Sequence, residues 1–100
     1  MTYELQPIVV LQSLEMTPVN YELDLHHLTA DEAAYRLDKY LNDAFIAGFM
    51  RVKIIHGKGT GTLRKVVAEK LAGHPLVISY RLAGYGEGGD GVTMVELVMR

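Results

Sequence analysis

The stretch that decides the fold is residues 52–66, which read VKIIHGKGTGTLRKV. Residues 52–55 form a short apolar run typical of a buried strand, and the run leads directly into a loop with glycine at positions 57, 59 and 61. Leu63, Val66, Val67 and Leu71 then recur at helical spacing, and Gly73 followed by Pro75 is a typical helix stop. The order strand, glycine loop and helix predicts a unit of an α/β fold.

Upstream of this unit, the sequence predicts a first strand and a first helix. Residues 21–25 alternate with period two, which predicts a strand with Tyr21, Leu23 and Leu25 on one face. Thr29 followed by Glu32 forms a capping box, so a helix is expected to begin near residue 30 and to end at Gly48. Its predicted buried stripe consists of Ala33, Leu37, Tyr40, Leu41, Ala44 and Phe45.

Downstream, the sequence predicts two more strands, at residues 77–82 and 92–99. Between them, residues 84–91 hold five of the ten glycines and predict a mobile loop. The element order βαβαββ predicts an α/β two-layer sandwich with a mixed four-stranded sheet and two helices. Residues 21–100 are expected to form this domain, and residues 1–20, with one β-like run at 8–11, an N-terminal extension or linker.

Several polar side chains are expected at one edge of the sheet. A strand, a crossover helix and a parallel strand bring both carboxyl ends to the same edge. Asp24 and His26 would then lie beside His56, if the first two strands are neighbours. If the third strand is also parallel, the loop 84–91 emerges there too. Open α/β sheets bind their ligands at this edge.

The glycine loop has the chemistry of a phosphate site. Glycines let backbone N–H groups approach an oxyanion, and the N-terminus of the following helix is partially positive. The phosphate-binding or nucleic-acid-binding candidates are Gly57, Lys58, Gly59, Thr60, Gly61, Arg64 and Lys65. The loop matches neither a P-loop nor the dinucleotide fingerprint, because Lys58 precedes the last two glycines and position 62 is Thr62. A tight strand-to-helix turn that merely needs glycine is the alternative.

His26 and His56 are the candidates for general acid and base at a phosphodiester, since histidine titrates near neutrality. Asp24 would orient a histidine, contact a nucleotide or help to hold a divalent ion, but no carboxylate-rich cluster surrounds it. A structural role is the alternative for any single histidine, and it is the expected role of His74. Tyr80 and Tyr85 are candidates to stack on bases, although Tyr80 has an equal claim to the core.

Composition narrows the functional class. The chain has 100 residues and no cysteine, which excludes a disulfide scaffold, a thiolate zinc site and a cysteine nucleophile. No apolar run could span a membrane, and the N-terminus lacks a basic signal-peptide start, so a cytoplasmic location is expected. The net charge of −2 conceals an asymmetry, because residues 51–70 carry six basic side chains and one acidic one. Contact with nucleic acid would therefore be local to the glycine loop.

Four separated motifs carry a resemblance to a known family. They are residues 23–26 (LDLH), residues 37–44 (LDKYLNDA), residues 54–64 (IIHGKGTGTLR), and His74-Pro75 followed by residues 87–93 (EGGDGVT). In this order they resemble an Smr (small MutS-related) domain over about residues 21–100. The helix motif at residues 37–44 is most similar to that of the C-terminal Smr domain of the second type of bacterial MutS homologue.

The resemblance implies a fold similar to the C-terminal domain of bacterial translation initiation factor three. It also implies endonuclease activity, a phosphodiester hydrolase that nicks branched or other DNA without sequence specificity and is linked to suppression of recombination or to DNA repair. The family's functional positions fall on Asp24, His26, His56, Gly57 and Gly59. The family usually has glycine where this chain has His27, a departure that bears on the turn after the first strand.

Several alternatives remain open at this point. The partner is DNA, RNA or both, and the rest of a longer MutS-like protein is a further expected partner. An RNA endonuclease in ribosome rescue and a non-catalytic module that binds nucleic acid or the ribosome are the competing functions. A divalent metal ion, Mg²⁺ or Mn²⁺, is a possible cofactor, with Asp24 as its candidate ligand. A protein-interaction domain is the third class, and its expected sign is a large exposed apolar patch.

Overall fold

The computed structural model describes residues 19–100, and the β-like run at 8–11 lies outside them. Two helices and four strands follow one another in the predicted order. They are β1 (Glu22–Asp24), α1 (Ala30–Ala47), β2 (Arg51–Ile55), α2 (Thr62–Leu71), β3 (Val77–Leu82) and β4 (Val92–Leu97). A short 3₁₀ turn, Gly89–Gly91, leads into β4.

The sheet has the strand order β1-β2-β4-β3. β1 pairs in parallel with β2, and β4 runs antiparallel to both β2 and β3. β3 is therefore parallel to β1 and β2, so the carboxyl ends of these three strands reach one edge of the sheet. The predicted α/β two-layer architecture with a mixed four-stranded sheet is confirmed.

Local signals in the sequence determine where α1 begins and ends. The Thr29 hydroxyl accepts a hydrogen bond from the Glu32 amide, and the Glu32 carboxylate accepts one from the Thr29 amide, which completes the capping box. At the other end, Gly48 takes the left-handed conformation (φ +90°) and its amide bonds back to the last turn. α1 therefore holds its buried stripe in one orientation over the sheet.

The core lies between the helices and one face of the sheet. Its fully buried large side chains come from every layer of the fold, and each contributes on the order of 1.5–3 kcal/mol through removal of apolar surface from water. They are Leu25, Leu37, Leu41, Val52, Ile54, Val67, Leu71, Val95 and Leu97. Within residues 19–100, neither helix has the length and apolarity that a membrane span requires.

The ends of the first and last strands differ from the sequence prediction. β1 has three residues, and Tyr21 lies before it with more than half of its surface exposed, although its carbonyl still accepts a hydrogen bond from the Lys53 amide. β4 ends at Leu97, two residues before the predicted end. The period-two pattern of apolar residues continues beyond the paired residues of a strand. It therefore does not indicate where the helices stop covering the sheet.

Candidate functional site

The two predicted polar clusters lie together at the edge where β1, β2 and β3 end. The amides of His56 and Gly57, just after β2, both donate to the Gly91 carbonyl at 3.0 Å. These bonds hold the glycine loop against the end of the 84–91 loop. The cavity at this edge measures about 500 Å³ and is lined by residues from two segments, 26–30 and 56–64.

Asp24 and His26 form a hydrogen-bonded pair beside this cavity. One carboxylate oxygen, Oδ1, accepts from the His26 amide at 3.0 Å and also contacts the ring nitrogen Nδ1 of His26. Both side chains are about half exposed. An ionised carboxylate can only accept a hydrogen bond, so the proton of a neutral His26 imidazole lies on Nδ1. The other ring nitrogen, Nε2, has no hydrogen-bond partner among residues 19–100.

The electrostatics of the pair favour an ionised aspartate. Partial desolvation opposes ionisation, but the hydrogen bonds from the His26 ring and amide and the charge of the neighbouring histidines outweigh it, so the pKa of Asp24 is lowered. An ionised carboxylate orients the imidazole and stabilises its protonated form. Asp24 and His26 thus have the hydrogen-bonding arrangement of the Asp–His pairs found in hydrolases.

His27 occupies the position where the resembled family usually has glycine. Its backbone is left-handed (φ +71°), and it is the one non-glycine residue among 19–100 with a positive φ. Its ring lies 4.2 Å from that of His26, centroid to centroid. The turn after β1 thus needs a conformation that glycine adopts freely and that side chains resist.

His56 has an environment quite unlike that of His26. Its side chain is buried, with 4% of the residue exposed. Nδ1 lies 3.0 Å from the Gly57 carbonyl, which can only accept, so Nδ1 carries the proton, and Nε2 then accepts from the Thr93 hydroxyl at 2.8 Å. Burial lowers the pKa of His56 in spite of the bond to Gly57, which acts to raise it. Both nitrogens are engaged by the protein, which is the arrangement of a group that holds the loop.

The backbone after His56 approaches His26 closely. Gly57 has a positive φ (+80°), and a Cβ built there would lie 3.5 Å from the Cβ of His26. Gly61 (φ +86°) is the residue before α2 and has no side chain to cap the helix, while the Thr62 amide makes a long bond of 3.4 Å to the Thr60 hydroxyl. Residues 61–64 line the cavity, so the partially positive start of α2 borders it, as an oxyanion site requires.

The predicted basic residues divide between two places. Lys58 is exposed, and its Nζ lies 3.7 Å from the Asp90 carboxylate. Arg64 lines the cavity and lies over Gly61, at whose position a Cβ would be 3.3 Å from the guanidinium. Gly59 and Thr60 also line it, but Lys65 does not. Lys65 faces an adjoining groove instead.

The loop 84–91, predicted to be mobile, is held by specific bonds. The Glu87 carboxylate accepts from both terminal nitrogens of Arg81, at 3.0 and 3.3 Å, and from the Gly84 amide at 2.9 Å. The bonds from Arg81 and then from Gly84 lower the pKa of Glu87 to about 2. These bonds connect the start of the loop to β3.

Thr93 is the residue of the site that sequence reasoning missed. It lies on the same face of β4 as Val95 and Leu97, and all three are buried. A polar residue on a buried face requires a hydrogen-bond partner, and here the partner is His56. The alternation of β4 is the signal that could have identified it.

The described residues do not assemble a set of metal ligands. No group of three His, Asp or Glu side chains within residues 19–100 is placed to hold an ion. One oxygen of Asp24, the candidate ligand, already bonds to His26 twice.

Comparison with known families gives a specific match. The family model described as "Smr domain" matches residues 23–98. Among curated proteins, the chain is 57% identical over 84 residues to the endonuclease MutS2 of Clostridium beijerinckii, which covers 84% of this chain and 11% of that protein. It is 50% identical over 94 residues to the endonuclease MutS2 of Pelotomaculum thermopropionicum, covering 94% of this chain and 12% of that protein.

Solved structures share the fold. The Smr domain of Thermus thermophilus MutS2 superimposes with a TM-score of 0.75 and 43% identity, covering 77% of this chain and 96% of that one. YdaL of Escherichia coli, a stand-alone small MutS-related protein, gives a TM-score of 0.74 and 27% identity, covering 85% of this chain and 70% of that one. The chain thus spans about a tenth of its curated MutS2 relatives and most of an isolated domain.

Proposed function

The chain belongs to the Smr domain family, and from this premise we propose that it is an endonuclease domain that nicks DNA by hydrolysing one phosphodiester bond. The observation that carries the proposal is the Asp24–His26 pair beside the start of α2, with the Nε2 atom of His26 free among the described residues. The name endonuclease belongs to relatives far longer than this chain, so their activity supports the proposal by analogy.

The glycine loop binds the reacting phosphate in this proposal. Amides at the start of α2 donate to the non-bridging oxygens, and Gly57, Gly59 and Gly61 leave room for the phosphate to approach the backbone. Lys58 and Arg64 supply full positive charges next to these amides, and Lys65 extends the basic surface. Donors in fixed positions stabilise the charge that develops on the phosphorus oxygens in the transition state.

His26 is the general base. Its Nε2 removes a proton from a water molecule as the water oxygen bonds to phosphorus, while the bond from phosphorus to one bridging oxygen breaks. The departing oxygen takes a proton from solvent, and the imidazolium returns its proton when the products leave. Asp24, with its lowered pKa, holds the ring in the required tautomer and stabilises the imidazolium.

His56 is a positioning residue in this mechanism. Both of its ring nitrogens bond to protein groups, and its amide shares the Gly91 carbonyl with that of Gly57. These bonds support a role in holding the glycine loop in its phosphate-binding conformation. The proposal thus departs from the sequence hypothesis that His26 and His56 share the acid–base work.

The test uses two aspartates that each bond to a histidine. Asp24 bonds to His26 in the site, and Asp38 bonds to His74 at 3.2 Å on another part of the surface. The proposal predicts that Asp24→Asn lowers nicking of supercoiled plasmid by at least about 10-fold and that Asp38→Asn leaves it unchanged. Each variant is assayed with and without a chelator, on plasmid and on single-stranded RNA.

Equal activity in wild type and Asp24→Asn would contradict the mechanism. Binding without cleavage on every substrate would instead identify a non-catalytic module that binds nucleic acid. Cleavage of the RNA alone would replace DNA by RNA as the substrate. Loss of activity with chelator would add a metal ion to the site.

A further inference from the structure

A second groove adjoins the candidate site on the side away from β1. It measures about 470 Å³, within the range of roughly 300–1,000 Å³ of ligand sites in proteins. It lies between the start of α2 and the end of β3. Thr60, Gly61 and Arg64 line both this groove and the cavity of the candidate site, so an occupant of one is the immediate neighbour of an occupant of the other.

The wall of the groove formed by β3 carries uncovered apolar surface. Tyr80 and Leu82 pair with Val95 and Thr93 of β4 in the sheet register, and directly opposite residues point to the same face. Val95 and Thr93 are buried on the face covered by the helices. Tyr80 is nevertheless 40% exposed and Leu82 45% exposed, because α2 does not extend over β3 at this point. The aromatic ring of Tyr80 is thus available on this wall of the groove.

The charge of the groove favours an anionic occupant. Its lining includes three basic residues and no acidic one. Arg81 is neutralised by Glu87, whereas neither Arg64 nor Lys65 has a carboxylate within 4 Å among residues 19–100. An aromatic ring with two unneutralised cations beside it matches one nucleotide, with a base to stack on the ring and phosphates to meet the cations.

We propose that this groove binds an unpaired base of the nucleic-acid strand whose phosphate lies at the glycine loop, with the base stacked on Tyr80. Arg64 and Lys65 contact the phosphates on either side of that nucleotide. A paired base is unsuitable, since its two faces are covered by its neighbours in the duplex. This inference rests on the proposed function and narrows its substrate to strands that are locally unpaired next to the nick.

The experiment compares Tyr80→Ala, Tyr80→Phe and, as a matched control, Tyr35→Ala. Tyr35 is an exposed tyrosine of α1 that lies outside both the site and the groove. Affinities are measured for a labelled single-stranded oligonucleotide and for a blunt duplex of the same sequence. All proteins also carry Asp24→Asn, so that cleavage is slowed while binding is measured.

We expect Tyr80→Ala to weaken binding of the single strand by roughly 5- to 100-fold, the loss of one stacked base, and to leave duplex binding unaltered. Tyr80→Phe and Tyr35→Ala should bind both probes as the parent does. When an abasic site is placed at each position of the strand in turn, it should weaken binding by the parent protein at one of these positions. It should weaken binding by Tyr80→Ala at none of them.

An unaltered single-strand affinity in Tyr80→Ala would overturn the inference, as would equal losses for strand and duplex. A lower melting temperature of Tyr80→Ala without a change in strand affinity would likewise overturn it and would show that Tyr80 serves the packing of the fold. These outcomes are separate from the fate of the proposed function. Cleavage that depends on Asp24 but not on Tyr80 would leave the endonuclease standing, and Tyr80-dependent binding without cleavage by wild type would refute the endonuclease alone.

Discussion

His26 and His56 follow neighbouring parallel strands and reach the same edge of the sheet, yet their surroundings differ in every respect that determines reactivity. The His26 side chain is half exposed, bonds to an ionised carboxylate and keeps one nitrogen free among the described residues. His56 is 4% exposed, bonds to a carbonyl and a hydroxyl, and keeps neither nitrogen free. In the proposed function His26 transfers the proton, and His56 holds the glycine loop.

The position of a histidine at a site therefore does not establish its role. What distinguishes the two is the partner of each nitrogen. A carboxylate stabilises the charged imidazolium, whereas burial against neutral partners disfavours it and lowers the pKa of His56.

The largest effect is expected on catalysis from His26. His26→Gln removes the base, and positioned acid–base groups contribute about 10²- to 10⁴-fold to rate. The rate of plasmid nicking should fall by that factor while the far-UV circular dichroism spectrum stays unchanged. A variant that keeps more than a tenth of the wild-type rate would remove His26 from the chemistry.

The next largest effect is expected on stability from His56. His56→Ala leaves a cavity and deprives Thr93 of its buried partner, which should lower the free energy of unfolding by about 2–4 kcal/mol. His26→Ala, on the half-exposed residue, should lower it by less than about 1 kcal/mol. Urea unfolding of the two variants measures the difference. Equal losses would contradict the division.

Stability should also fall as the pH is lowered below the ordinary histidine pKa of about 6.5. Burial lowers the pKa of His56 in the folded chain, so the unfolded chain takes up a proton first and the folded state loses stability, by at most about 1.4 kcal/mol per pH unit. Unfolding in urea at pH 7.5 and 5.5 should therefore show a larger loss for wild type than for His56→Gln. Parallel losses would assign the pH dependence to other groups.

The smallest effect is expected at the turn that carries His26. A left-handed backbone costs a residue with a side chain about 1–2 kcal/mol, and a glycine there avoids this cost. Part of that stabilisation is lost, because glycine has greater conformational freedom in the unfolded chain. His27→Gly should raise the free energy of unfolding by about 0.5–1 kcal/mol, and His27→Ala should not raise it. A glycine variant no more stable than the alanine variant would show that the His27 backbone is unstrained.

The sequence predicts the fold well because its signals are local. The capping box of Thr29 and the left-handed Gly48 determine the limits of α1, and apolar spacing assigns the buried faces. Tyr21 was predicted to share the buried face and is exposed, since alternation carries no information on where the covering helices end. The candidate residues at the sheet edge were predictable from strand order, which the parallel pairing of β1 and β2 bears out.

The roles within the site were less predictable. The bond between His56 and Thr93 joins residues 37 positions apart, and no local pattern encodes it. The exposure of Tyr80 depends on how far α2 extends over β3, which the sequence does not state. The left-handed turn at His27 has no local signal in the chain itself, because the residue that favours such a turn is absent there.

The central claim, that His26 transfers the proton and His56 holds the loop, is tested most directly by the nicking rate of His56→Gln per folded molecule. The glutamine amide can still accept the Thr93 hydrogen bond, but it cannot exchange a proton near neutral pH. If His56 only holds the loop, this variant keeps at least about a tenth of the wild-type nicking rate, while the rate of His26→Gln falls by about 100-fold or more. A loss in His56→Gln as large as that in His26→Gln would contradict it.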